Sequence, residues 1–141
     1  MAQIEVYVPN LKYRKDRRQS INQQFADKDE FSLNIVDAIE LKDGAFGLWQ
    51  TFYNITRTEQ EKGSRCFIFC EDDHVFTENY SWEYLKNMIE KADNIGADLL
   101  SGGMSVVNIP VCVCDNLFWV SSFNGMQFTV VFVNSTGFMK E

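Results

Sequence analysis

Glu71-Asp72-Asp73 is the group in this chain best able to do chemistry. Three adjacent carboxylates repel and raise one another's pKa values unless a cation or water compensates. They follow Cys66-Phe67-Ile68-Phe69-Cys70, a continuous apolar run typical of a strand buried on both faces. Ligands of open α/β sheets bind outside the carboxyl ends of the strands, and this strand would deliver the three carboxylates to that edge. On an extended chain Glu71 and Asp73 point to one side and Asp72 to the other. Glu71 and Asp73 can then address one ligand while Asp72 turns toward the scaffold. Hard divalent cations take carboxylate oxygens, and Mg²⁺ commonly uses one or two protein carboxylates plus substrate phosphates. That is the chemistry of a nucleoside diphosphate leaving group. The competing reading is a solvated acidic turn, with Asp72 or Asp73 capping a loop.

A second group is basic. Lys12, Arg14, Lys15, Arg17 and Arg18 fall within seven residues, just after the first predicted strand. Arginine suits bidentate phosphate contacts, and a helix N-terminus adds exposed N–H groups. The alternative is a solvated, charged helix start. Gly102-Gly103 follows another predicted strand and would let the backbone approach a ligand closely, or simply make a turn. His74 reads as a structural hydrogen-bonding residue before a ligand or base. Trp119 and Phe123 are candidates to stack on a sugar. Asp115 is the only charged residue between Leu99 and Met139, and it becomes the catalytic-base candidate by elimination.

The elements that must position these groups follow from pattern. Ile4 to Val8 reads as a strand that exits at Pro9-Asn10. A helix to about Phe25 is predicted next, with Asp16 as its N-cap and Gln19 in a capping-box position. Leu33 to Ile39 reads as a strand. Leu48 to about Glu61 reads as a helix with Leu48, Phe52 and Ile55 on its buried stripe, closed by Gly63. Trp49 and Tyr53 are expected in the core beside them. After the Cys66–Cys70 strand come a helix from Ser81 to Ile95 and strands at 97–100, 117–120 and 127–133. This alternation predicts one α/β domain over 1–141, with a mostly parallel central sheet flanked by helices.

Composition bounds the function classes. Hydrophobic residues make up 45% and charged residues 23%, which is globular rather than disordered. The net charge of -7 argues against nucleic acid as a partner. No apolar run reaches a membrane-spanning length, and the N-terminus has no signal-peptide pattern. The expected location is cytoplasmic, including the inner face of the membrane. Cys66, Cys70, Cys112 and Cys114 lack zinc spacing and read as buried, reduced thiols. The nearly uncharged stretch from Leu99 to Met139 needs cover. Ser135 to Met139 reads as the start of a further helix, so the chain reads as incomplete at its C-terminus. The open surface predicts a homodimer.

Several segments together resemble glycosyltransferase family 25, the lipopolysaccharide-biosynthesis and procollagen galactosyltransferase type. Val8-Pro9-Asn10-Leu11-Lys12-Tyr13-Arg14-Lys15-Asp16-Arg17-Arg18 resembles its opening motif. Gly44 to Trp49, Phe69 to His74, Ala97 to Gly103 and Phe123 to Phe128 resemble later segments in the same order. The resemblance departs at Leu48-Trp49-Gln50-Thr51, which lacks a histidine the family often has there, and at Met126, where threonine is common. It implies a GT-A-like nucleotide-binding fold and transfer of a sugar, often galactose from a UDP-sugar, to a glycan or lipopolysaccharide acceptor. It implies Mn²⁺ or Mg²⁺ held by Asp73, with Glu71 nearer the ribose or diphosphate. It places Pro9, Asn10, Arg14 and Arg17 near the nucleotide, with Asp72, Gly102 and Gly103 beside it. The alternative is a non-catalytic module that binds a nucleotide or a partner. A nucleotidyltransferase lacks support, because there is no glycine-rich phosphate loop with lysine.

Overall fold

A computed structural model describes residues 2–133. Within them a five-stranded sheet in the order β2-β1-β3-β9-β4 is flanked by three helices. The elements are β1 (Ile4–Asn10), α1 (Lys15–Phe25), β2 (Phe31–Asp37), α2 (Gly44–Lys62), β3 (Cys66–Cys70), α3 (Trp82–Asn94), β4 (Leu99–Ser101), β5 (Val106–Asn108), β6 (Val111–Cys114), β7 (Leu117–Trp119), β8 (Ser122–Asn124) and β9 (Phe128–Phe132). The expected helix start at Ser135–Met139 lies outside the described residues.

β3 is buried on both faces because its alternate side chains enter two cores. Ile68 and Cys70 pack with Ile21 and Phe25 of α1 and Ile89 and Ala92 of α3. Phe67 and Phe69 pack with Phe52 and Ile55 of α2 on the other face. β1 pairs in parallel with β2 along its whole length, and with β3 at Val6–Ile68 and Tyr7–Phe69. The chain goes from β1 outward to β2, then crosses back over β1 to reach β3. The order therefore reverses between β1 and β3, the point at whose carboxyl ends open α/β sheets take their ligands.

The sheet is not mostly parallel, as the alternation predicted. β9 lies antiparallel between β3 and β4, so the central sheet is mixed, and β5–β8 and β6–β7 add two antiparallel pairs. The reason is connectivity. β4 climbs to the carboxyl edge, the 102–127 excursion stays at that edge, and the return strand must run back down. Such a return needs no crossover helix.

Two local expectations also change. The N-cap of α1 is Arg14, without a side-chain cap, and Asp16 sits in the first turn. The buried stripe of α2 is Thr51, Phe52, Ile55, Thr56 and Glu59, whereas Leu48 and Trp49 are exposed. Trp49 instead stacks between Phe46 and Tyr53 on the outer side of the helix. Asp43 caps α2 by accepting from the Ala45 and Phe46 N–H groups, and Ser81, where the third helix was expected to begin, caps α3. All four cysteines are free; Cys70 is buried, but Cys112 is exposed on β6, contrary to expectation.

Candidate functional site

The carboxylates leave the end of β3 at the reversal point, and three segments meet there. Asn10, at the end of β1, is buried at 2% exposure, and its Nδ2 donates to Asp72 Oδ2 at 3.0 Å and more weakly to Arg14 O at 3.3 Å. Arg17, in the first turns of α1, donates from a terminal guanidinium nitrogen to Asp72 Oδ1 at 3.0 Å. Asp72 is therefore committed to the scaffold, tying the end of β3 to β1 and α1. On the other side, Glu71 N–H donates to Gln127 O at 3.0 Å, and Gln127 Nε2 donates to Asp73 Oδ1 at 2.9 Å. The start of β9 thus braces Glu71, which is half-buried, and Asp73, which is exposed; the chain turns here, with His74 N–H donating to Glu71 O at 3.2 Å, so the expected extended alternation over 71–73 does not hold.

Burial holds the Glu71 carboxyl above the ordinary glutamate pKa, and the neighbouring Asp73 charge adds to this; the Met126 N–H opposes it. Placing negative charge there costs energy that a bound cation would return. Two carboxylates suit Mg²⁺ or Mn²⁺ completed by phosphate oxygens. Among the described residues no three His, Cys, Asp or Glu side chains converge into a complete protein cage. Asp73 and Glu71 are the carboxylates at this edge that could share a cation with a bound diphosphate.

The basic segment is divided rather than gathered. Arg14 donates to both carboxylate oxygens of Asp16 at 3.0 and 2.8 Å, and this hydrogen bonding holds the Asp16 carboxyl down at about 2. Lys12 faces Asp37 at 3.5 Å. Lys15 and Arg18 line a shallow groove with Gln19 and Asn22 along α1. Of the five cations, Arg17 alone bonds to the carboxylate triplet. Pro9 is half-buried in the β1–β2 ladder opposite Val36.

Gly102 and Gly103 follow β4 at the same edge. A side chain on Gly102 would meet the Phe128 ring at 3.3 Å, and one on Gly103 would meet Gln127 Cβ at 3.2 Å. Their smallness lets the chain lie against β9, which accounts for the pair without a ligand. Asp115 forms, with Asn116, the exposed turn of the β6–β7 hairpin, and Asn116 takes φ +63° there. That hairpin is a separate sheet from the one bearing Glu71–Asp73. Short polar residues at such a turn are explained by turn chemistry.

Gln127 joins the site although sequence reasoning gave it no such place, and His74, expected to make a structural hydrogen bond, leaves one ring nitrogen without a partner. Gln127 holds Asp73; it sits in the segment resembling the family's later block, but nothing in its spacing points to the carboxylates. His74 has a buried Nε2 with no hydrogen-bond partner, while its ring packs against Phe76 and Phe128. Burial lowers its pKa, so the imidazole is neutral near pH 7. Among the described residues no helix is long and apolar enough to cross a membrane. No family model and no curated protein matches this chain.

Proposed function

We propose that the chain binds a nucleotide-sugar donor, of the UDP-sugar class, at the Glu71–Asp73 ledge and transfers its sugar to a hydroxyl of a glycan acceptor. One observation carries this reading. The carboxylate triplet sits at the carboxyl edge where strand order reverses, with Asp72 bonded to Asn10 and Arg17, Asp73 exposed, and Glu71 half-buried beside it. That edge is where α/β sheets take nucleotides. The resemblance to glycosyltransferase family 25 and its GT-A-like fold supports the same reading. A divalent cation bound there would neutralise the charge of the departing diphosphate. Arg17, half-exposed and using one nitrogen on Asp72, can turn its remaining donors to phosphate.

A second reading, a non-catalytic binding module, draws on the exposed apolar side chains of β5 to β7, which suit a partner or a second copy of the chain. Both readings suit a protein on the cytoplasmic side, including at a membrane face. The test is a thermal-shift panel of UDP-, GDP- and CMP-sugars with and without Mn²⁺, followed by a transfer assay. A ligand that binds only the native state at a hundred times its Kd stabilises by about 2.7 kcal/mol. A Mn²⁺-dependent shift with a UDP-sugar supports the donor site; no shift with any nucleotide refutes it. A shift without transfer favours the binding module.

A further inference from the structure

The central sheet has two edges, and they are not alike. β4 forms one with three residues, short enough to blunt that edge. β2 forms the other with seven, and its pairing with β1 runs from Phe31 to Asp37 without a bulge. In that ladder the Ile4 N–H donates to Glu30 O and the Ala38 N–H donates to Asn10 O. The even-numbered residues of β2 therefore turn their main-chain groups toward β1, and Leu33 and Ile35 turn theirs away. Among the described residues nothing bonds to the N–H and C=O groups of Leu33 and Ile35. The devices that usually protect an edge are missing from residues 31–36, which hold no proline and no charge. Ser32 to Val36 are half-buried, so this edge reaches the surface.

We propose that β2 pairs with the β2 of a second copy of this chain, antiparallel about a two-fold axis at Asn34, so that two sheets join into one. Unpaired N–H and C=O groups at two-residue spacing are met by another extended strand. Symmetry and charge select the chain's own strand. Pairing about Asn34 sets Leu33 opposite Ile35 of the second copy, and their outward groups then exchange N–H···O bonds in both directions. Leu33 and Ile35 also share one face, packed against the core that holds Ile21 and Phe25, so each pair extends that core across the axis. The net charge of -7 opposes contact between copies elsewhere, but residues 31–36 are uncharged. Asp37 would face Phe31 rather than a like charge, and Lys12 already lies 3.5 Å from its carboxylate. The second copy is turned end for end, so its Glu71–Asp73 edge opens at the far end of the joined sheet. The pairing is therefore independent of the donor reading.

The test is light scattering on the whole chain over a range of concentrations, with hydrogen exchange measured at both ends of the range. The mass should rise with concentration to twice that of the chain, and the Leu33 and Ile35 amides should exchange at least about tenfold more slowly in the dimer. Ile35→Pro removes an outward N–H and none that β2 gives to β1, so it should weaken the dimer about tenfold or more while the chain stays folded. A Cys112→Ser background removes the exposed thiol. In it, Asn34→Cys should cross-link with oxidised glutathione, because facing residues that exchange no main-chain bonds lie about 4.5 Å apart at Cα. Ser32→Cys should not, since its two copies would sit roughly 14 Å apart. If Ile35→Pro fails to fold, the two cysteine variants decide alone. A chain that stays monomeric at every concentration, an undiminished dimer in Ile35→Pro, or equal cross-linking at 32 and 34 overturns the proposal. A dimer dissociated by Trp119→Asp but not by Ile35→Pro would put the contact on the β6–β7 hairpin and overturn it as well.

Discussion

Asp72 and Asp73 are neighbours that should fail in opposite ways. Asp72 is 12% exposed at its side chain and accepts from both Asn10 and Arg17. Asp72→Ala leaves the buried Asn10 amide short of an acceptor, a cost of about 1–3 kcal/mol. The Arg17 pair adds no more than about 1 kcal/mol, because Arg17 is 39% exposed and solvent screens it. The sum, about 1–4 kcal/mol, corresponds to a fall in Tm of roughly 3–15 °C for a chain of this size. Asp73 is exposed and bonds only outward, to Gln127. Asp73→Asn should stay within about 0.5 kcal/mol of wild type in stability. In Mn²⁺-dependent UDP binding the order reverses. Asp73→Asn removes the proposed metal ligand and should cost tenfold or more, whereas Asp72→Asn, which keeps an acceptor oxygen, should cost less than about threefold. Calorimetric titration of UDP with Mn²⁺ and a scanning melt on each variant measure both quantities. Equal affinity losses, or a Tm unmoved by Asp72→Ala, would refute the division of roles.

Arg17→Ala should weaken UDP binding at low salt and matter less as salt rises, because a half-exposed cation is screened; salt-independent affinities would reduce Arg17 to a scaffold residue. Glu59 is fully buried and accepts from Tyr7, Ser64 and Lys62. Burial alone would raise its carboxyl, but those hydrogen bonds outweigh it and hold its pKa below the ordinary glutamate value. Its stabilisation is therefore present above about pH 5 and lost as pH falls through the folded pKa. Glu59→Gln should cost about 2 kcal/mol near neutral pH in urea melts, with the gap to wild type narrowing below about pH 4; a gap that widens in acid would reverse the assigned sign. Gly47→Ala would put a Cβ 2.3 Å from Ile39 O, a backbone atom that cannot swing away. The overpacking cost of about 1–3 kcal/mol should exceed the helix-propensity gain of about 1 kcal/mol, and a variant with a raised Tm would contradict that.

What could be read in the sequence was whatever one segment decides by itself. Cys66 to Cys70 announces a strand buried on both faces because every residue in it is apolar. The helix expected from Ser81 is found, and Ser81 caps it by accepting from the Tyr84 N–H. Asp16 misleads because Arg14, two residues earlier, takes its carboxylate in the fold. Leu48 and Trp49 mislead because α2 presents a partly polar stripe, with Thr51, Thr56 and Glu59 buried through hydrogen bonds no periodicity reports. β5 and β8 were not foreseen because Val106-Val107-Asn108 and Ser122-Phe123-Asn124 have neither alternation nor an apolar run, and each exists only by pairing with the other.

The direction of β9 and the role of Gln127 were missed for the same reason. Phe128-Thr129-Val130-Val131-Phe132 is equally apolar read either way, so its composition cannot say which end meets the carboxyl edge. Because it runs antiparallel to β3, Phe128 pairs with Cys70, and the residue before it, Gln127, arrives beside Glu71 and Asp73. A parallel β9 would have brought Phe132 and Val133 to that edge, with no side-chain donor for Asp73. The reversed strand is therefore part of the site. It supplies the amide that fixes one outward carboxylate and the backbone carbonyl that accepts from Glu71. Gln127→Leu tests this in a melt and a UDP titration run together: if Asp73 needs its amide partner, Mn²⁺-dependent UDP affinity should fall severalfold while Tm stays close to wild type, since the bond it breaks is exposed. Unchanged affinity would mean that β9 merely fills the sheet and that Glu71 and Asp73 hold their places without it.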